Sequence, residues 1–302
     1  MSSIKEGIYR DMSDTVYHEQ HGEEEHFFSS SQLKTIMEDP IKFKKEYIQN
    51  KKAPTPAALQ DAFDVGTLVH TAILEPKLLK GAYAKWPAGS NRTGSIWEEF
   101  KKENEGKLIM NPTMLKQANQ AIKNIKSSPL CLAQFTEGEA EVSFFVEFMG
   151  LRVKVRTDWL RATSIDDLKT TTGNVRDINK IKGKIKSLNY DLSAAFYVDV
   201  VNHCIDKFEL DRPKIETFRW IFTSKDKESA QVYDGAAYLP LGRAKYRKAI
   251  ELIHKHSENG WEFPEEIINL EPYGYEVSDW IKPEAIIINQ DQEEDEDLED
   301  LL

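Results

Sequence analysis

The chain has 302 residues, two cysteines and a formal net charge of −11, with 40% hydrophobic and 30% charged residues. This is the composition of a soluble globular protein long enough to bury a substantial core, and no apolar run approaches the ~20 residues of a membrane span. Cys131 and Cys204 cannot supply a four-cysteine zinc or iron–sulfur site, and residues 1–9 carry no apolar signal region, so a cytoplasmic setting with free thiols is expected.

The charge is unevenly placed. Residues 291–300 hold eight acids and no bases, and without them the net charge is −3. Basic clusters on such a near-neutral body can still bind phosphate. The layout expected is an N-terminal helical and loop segment over 1–60, a main domain over 61–288 and a disordered acidic tail over 289–302.

The opening thirty residues are polar. His18, His21 and His26 stand among Glu19 and Glu23, Glu24 and Glu25, but no ligand spacing repeats, which reads as a solvated loop. Ser29, Ser30 and Ser31 then precede Leu33, Ile36 and Met37, a capped helix. Pro40 interrupts it, and Phe43, Tyr47 and Ile48 continue an apolar face. Residues 51–56 form a loop with two prolines. Val65, Leu68, Val69 and Ile73 have helical spacing over 64–74, and Pro76 follows. Residues 86–95 are a Pro/Gly/Asn/Ser-rich loop containing Arg92, and 97–103 and 112–127 read as helices.

Beyond residue 139 the pattern changes. Residues 140–148 are rich in β-formers, Gly150 supplies a turn, and 151–156 alternate apolar and basic residues. Residues 165–169 make a third strand, so an antiparallel meander is expected. A helix over 177–204 follows, beginning with Lys180, Lys182, Lys184 and Lys186. A strand over 215–224 can pair with 230–233, and 241–256 is a long basic-faced helix.

The chemistry-bearing residues lie on the second and third strands of the meander. On an extended strand Asp167 and Lys169 share one face, about 6–7 Å apart, and Asp166 and Leu168 share the other. If Asp158 is on the neighbouring strand, two carboxylates and an ammonium converge. Mg²⁺ takes oxygen ligands and keeps several waters, so Asp158, Asp167 and the Leu168 carbonyl suffice to hold it. Lys169 would orient the attacking water and offset phosphate charge. On this reading Asp166→Ala should be far milder than Asp167→Ala.

Taken in order, these residues resemble the PD-(D/E)xK nuclease superfamily, and more narrowly the RecE-type exonucleases (exodeoxyribonuclease VIII) of phages and prophages. The resemblance rests on Tyr17-His18, residues 29–34, Val65-Gly66-Thr67-Leu68-Val69-His70, Leu74-Glu75-Pro76, Asn91-Arg92-Thr93, Ala140-Glu141-Val142-Ser143, Arg156-Thr157-Asp158-Trp159, Asp167-Leu168-Lys169-Thr170-Thr171 and residues 190–197. Two positions depart from the family pattern: Thr157 stands where proline is usual, and Ser193 where the helix motif has glutamine.

The resemblance implies a restriction-endonuclease-like α/β (α+β) core, with a central mixed sheet flanked by helices. It implies catalytic Asp158, Asp167, Lys169 and Glu141. His70 joins the metal ligands, and an imidazole among oxygens admits Mn²⁺ as well as Mg²⁺. Tyr190, Ser193 and Tyr197 fall on one helix face and are either DNA-facing or core. Arg92, Arg176 and the four lysines are candidate phosphate contacts. The expected activity is 5′→3′ digestion of double-stranded DNA ends, leaving 3′ overhangs for recombination in a bacterial host cell. A single-strand annealing protein and a ring-shaped homo-oligomer are the implied partners, and no membrane is. The alternatives are another nuclease of the superfamily, acting as an endonuclease or with a helicase, and a silent DNA-binding scaffold.

Overall fold

The computed structural model describes residues 4–18, 26–87 and 92–263. Its six-stranded sheet has the order β1 (Gly7–Tyr9), β4 (Glu139–Phe148), β5 (Leu151–Leu160), β6 (Ser164–Thr171), β7 (Thr217–Ser224) and β8 (Ala230–Asp234). Every neighbouring pair is antiparallel except β6 and β7. A parallel neighbour requires a long crossover, here α8 (Ile178–Ser187) and α9 (Tyr190–Lys207). The expected meander is therefore present as β4, β5 and β6. Its first hairpin turns at Met149 and Gly150, with φ of 54° and 72°. Two left-handed residues between paired Phe148 and Leu151 match the twist of the flanking strands. The short strands β1, β2 (Tyr83–Lys85) and β3 (Leu108–Met110) escape a sequence reading, because three residues are too few to display a period of two.

Alternation along the strands sends side chains to two apolar layers. Val142, Phe144, Val153, Val155, Trp220 and Phe222 pack with α9, α2 (Ser30–Glu38) and α10 (Leu239–Glu258). Leu168 and Ile221 pack on the other face with α4 (Ala57–Leu74) and α6 (Pro112–Lys126). Cys131 and Cys204 are free, buried and divided between these two layers. Near the N-terminus, Tyr17 of α1 (Asp14–His18) and Phe27 cover Phe145. The α2 helix starts as expected at the serines, with the Ser29 N–H donating to Gln32 Oε1 at 2.7 Å.

Two helices differ from expectation. α4 begins at Ala57 rather than at residue 64, because its first turns are exposed and show no apolar period, although their alanines and Leu59 are good helix formers. The single helix expected over 177–204 is two. Asn189, at φ 47°, takes the left-handed conformation that asparagine tolerates, and α9 restarts at Tyr190. α9 and α10 cross at Gly242, where an added Cβ would lie 2.0 Å from the Asp191 carbonyl oxygen and 2.7 Å from Ala195 Cβ. Gly242→Ala should therefore destabilise the fold by about 1–3 kcal/mol or more, measured by denaturant unfolding. Among the described residues no helix is long and apolar enough to cross a membrane. The expected acidic tail lies outside the described residues, as do His21 and its neighbouring glutamates.

Candidate active site

The site occupies a fork in the sheet. β5 and β6 pair at Trp159↔Asp166 and Leu160↔Ile165, whereas β6 and β7 pair from Ser164↔Thr217 to Thr171↔Ser224. Past Asp166 the Asp158 side chain replaces the missing ladder partner: its Oδ2 accepts the Leu168 N–H at 2.8 Å. On the opposite side of β5, Glu141 stands across from Asp158, between the pairs Ala140↔Trp159 and Val142↔Thr157. Glu141 has φ 51°, a conformation unfavourable for a side-chain-bearing residue by about 1–3 kcal/mol. The kink reverses the alternation. Val142 faces the α9 layer, but Ala140 and Trp159 face the α4 layer. The reversal falls on Glu141 and Asp158 themselves, which places both carboxyls beside α4.

From α4, His70 Nε2 lies 2.8 Å from the Leu168 carbonyl oxygen, and Nδ1 lies 3.6 Å from Asp158 Oδ2. His70, Glu141 and Asp158 each present a ligand atom, all within 4.8 Å of one another. Asp167 and Lys169 share a strand face, as the alternation predicts. Lys169 Nζ is 2.6 Å from both Asp167 oxygens and hydrogen-bonds to Oδ1. Asp167 is buried, and its charge is met by the Lys169 ammonium. The Lys169 ammonium also lies 5.5 Å from the Tyr190 ring centre, and Lys34 of α2 lies 5.3 Å from the same ring.

A cleft of about 700 Å³ opens on this group, with Asp14, Tyr17, Arg156, Glu75 and Lys225 on its other walls. Burial, then the Asp158 charge, pushes Glu141 up to about 9. Burial raises Asp167 to about 6, with Asp158 adding to the shift and Lys169 opposing it. Burial works against the charge on Lys169, but Asp167, Asp158 and Tyr190 hold its pKa above the ordinary value. Lys34 is brought down to about 8 by burial and by Lys169.

A divalent cation fits this donor set. Glu141 resists ionising because it is buried and faces Asp158, and a cation offsets both the burial of charge and the repulsion. His70, Glu141 and Asp158 would hold it, with the Leu168 carbonyl as a further oxygen; Asp167, expected as a ligand, lies outside this group and is paired with Lys169.

The other candidates scatter. Tyr190 and Tyr197 line the cleft, and Tyr197 is half core: it meets Phe218 edge-on, and burial raises it to about 12 while Ser30 hydrogen-bonds to it. Ser193 is half-buried on the same helix face. Arg92 is paired with Asp61, contacts Met114 Sδ and stands over Trp97. Arg176 is exposed, and its charge acts on Cys131 of the far layer. On α8, Lys180, Lys182 and Lys186 are exposed and Lys184 is half-buried. Burial, then the charge of Lys184, lowers the pKa of Lys225, so this lysine acts on the cleft wall. Lys34 and Lys225 escape a sequence reading, because single lysines in a helix and a turn carry no spacing signal.

Asp166 does point away from Asp167, but it is not an idle acid. It is fully buried, 3.4 Å from Arg219 and 3.9 Å from Arg161. Asp166→Ala should therefore lower stability by about 1–3 kcal/mol, by leaving the buried Ser164 hydroxyl and two part-exposed arginines without their acceptor. Asp166→Asn should be milder, with both read by thermal melting.

The comparisons agree with this architecture. A search of curated proteins finds no match to the chain. A crystal structure of a Eubacterium rectale protein, provisionally named as an exonuclease, is similar in fold with a TM-score of 0.58. Its sequence identity is 16%, and the match covers 90% of this chain and 99% of that one. Residues 29–262 match a family model described as a PDDEXK-like domain of unknown function (DUF3799). That span includes the forked strands, His70 and Lys169, and the chain belongs to this PDDEXK-like family within the PD-(D/E)xK superfamily.

Proposed function

We propose that this protein is a metal-dependent exonuclease that digests one strand of linear double-stranded DNA, 5′→3′, and leaves a 3′ overhang. The observation that carries the reading is the convergence of His70, Glu141 and Asp158 within 4.8 Å, beside the Asp167–Lys169 pair. When bound, Mg²⁺ or Mn²⁺ would supply Lewis-acid stabilisation of phosphate charge and a more acidic water. Water oxygen bonds to phosphorus as the bond to the 3′-oxygen breaks; the attacking water gives up a proton to bulk water, and the leaving 3′-oxygen takes one up. Lys169, kept charged by Asp167, offsets the negative charge that develops. Asp158 fixes the fork and faces both Glu141 and Leu168.

The exonuclease polarity, an annealing-protein partner, a ring-shaped homo-oligomer and a bacterial cytoplasmic setting belong to this proposal through the likeness to RecE-type enzymes. The test is digestion of end-labelled linear duplex beside closed circular duplex, with Mg²⁺ or Mn²⁺. Release of label from 5′ ends with circles intact is expected. Cut circles would make the protein an endonuclease, and intact substrates with both metals would make it a silent DNA-binding protein.

A further inference from the structure

The sheet face that carries Leu168 and Ile221 is covered by α4 and α6 and opens at both ends of β6. One opening is the active cleft, at Thr170. The other is a groove of about 800 Å³ at Ser164, about 20 Å back along the strand. It lies between α7 (Pro129–Ala133) and the turn from β5 to β6, over β7 and β8, and has the size of a ligand site. The hydrolysis reaction makes no use of it.

Its walls are of two kinds. Leu130 is 58% exposed and, with Ala133 and Val232, makes one wall apolar. Apolar side chains gathered in a groove, unlike ones scattered singly, mark a contact surface. The other wall carries Arg161 and Arg219. Arg161 is committed to the fold: its Nη1 donates to the carbonyls of Ala133 and Gln134 at 3.1 and 3.3 Å, at the end of α7. Arg219 is half used. Its Nη1 donates to Ser164 Oγ at 3.0 Å and to Asp166 Oδ1 at 3.4 Å, while Nε and Nη2 donate to nothing among the described residues. That same pair of donors is the fork by which Arg243 holds both oxygens of Asp199, at 2.8 Å each. Two guanidiniums share one buried carboxylate, Asp166, so the groove floor keeps a surplus of positive charge.

We propose that this groove docks a short acidic and apolar peptide segment of a partner protein, with a carboxylate on the open fork of Arg219 and an apolar side chain against Leu130 and Val232. A carboxylate fits the fork in two parallel hydrogen bonds. The rim decides between a peptide and a nucleic acid. Glu137 and Asp234 both line the groove, and neither can turn to cation binding: Glu137 faces Arg161, and Asp234 accepts from Thr217 and the Ala236 N–H. A strand with a phosphate at every nucleotide would meet both acids, whereas a segment with one carboxylate between apolar residues meets the arginine and the leucine alone. The docking is independent of the nuclease reading, because it uses no residue of the active cleft.

The experiment measures anisotropy of a fluorescein-labelled, amidated peptide with one aspartate between two leucines in a serine frame, beside thermal melting and DNA digestion. Saturable binding is expected below about 1 mM, and asparagine in place of the aspartate should weaken it about tenfold. Leu130→Ser, at an exposed position, should melt like the wild type yet bind the peptide about tenfold less well. Arg219→Lys keeps the charge beside Asp166 but loses the fork, and should weaken binding by a similar factor. Digestion of DNA should be unchanged in both variants. No saturable binding by the wild type, or equal binding by Leu130→Ser and Arg219→Lys, would overturn the proposal. Displacement of the peptide by a single-stranded oligonucleotide, or loss of digestion in Leu130→Ser, would also overturn it and make the groove a nucleic-acid surface.

Discussion

Asp158→Asn is expected to reduce phosphodiester hydrolysis by about a thousandfold while leaving the fold in place. Asp158 combines a structural and a chemical role in one side chain. Structurally, its Oδ2 accepts the Leu168 N–H at 2.8 Å and closes the fork between β5 and β6. An asparagine oxygen can accept the same hydrogen bond, so the fork persists and the melting temperature changes little. Chemically, the Asp158 charge acts on Glu141, Asp167 and Lys169. After burial it is the leading cause of the rise in Glu141; it adds to the rise in Asp167 and helps to keep Lys169 protonated. The amide loses all of this, together with the anionic oxygen that a hard cation prefers. DNA affinity should hold or rise, because a negative charge leaves the phosphate path. The check is single-turnover digestion of end-labelled duplex beside anisotropy binding. Retention of more than about a tenth of the activity would take Asp158 out of the chemistry.

The parts of this site that were legible in the sequence are those fixed by strand periodicity. Alternation placed Asp167 with Lys169 and turned Asp166 away, and the structure keeps that register. The meander was legible because its strands are long and its turn has a glycine. Glu141 was identified by resemblance, but its left-handed backbone and the reversal of sheet alternation there leave no trace in residue types. Asp166 looked idle because its arginines, Arg161 and Arg219, come from the β5–β6 turn and β7. Arg92 looked free because Asp61 is thirty-one residues away in the chain. Contacts of this kind depend on tertiary placement, which short-range spacing does not encode.

The apparent affinity for Mg²⁺ or Mn²⁺ should tighten as pH rises toward about 9, by up to about tenfold per pH unit for each proton displaced. Glu141 sets the window. With a value near 9 its carboxyl carries a proton at neutral pH, and Asp167, near 6, is mostly ionised. A cation held by His70, Glu141 and Asp158 takes the carboxylate form of Glu141, so binding must release that proton to solvent. Above about pH 9 no proton remains to displace, and the dependence should flatten. The stability of the metal-free protein has the opposite slope. The folded value of Glu141 lies above the unfolded value of 4.5, so the folded state holds the extra proton and stability falls as pH rises from about 4.5 to 9. A cation that binds only the folded site should reverse this loss, so the gain in melting temperature on adding metal should be larger at high pH than at low. Calorimetric titration in two buffers of different ionisation enthalpy counts the released proton directly. Glu141→Gln should bind metal more weakly and remove most of the pH dependence between about 6 and 9. If the wild type binds metal with no pH dependence, or if Glu141→Gln leaves the dependence intact, Glu141 is not a ligand and the cation is held by Asp158, His70 and Asp167 instead.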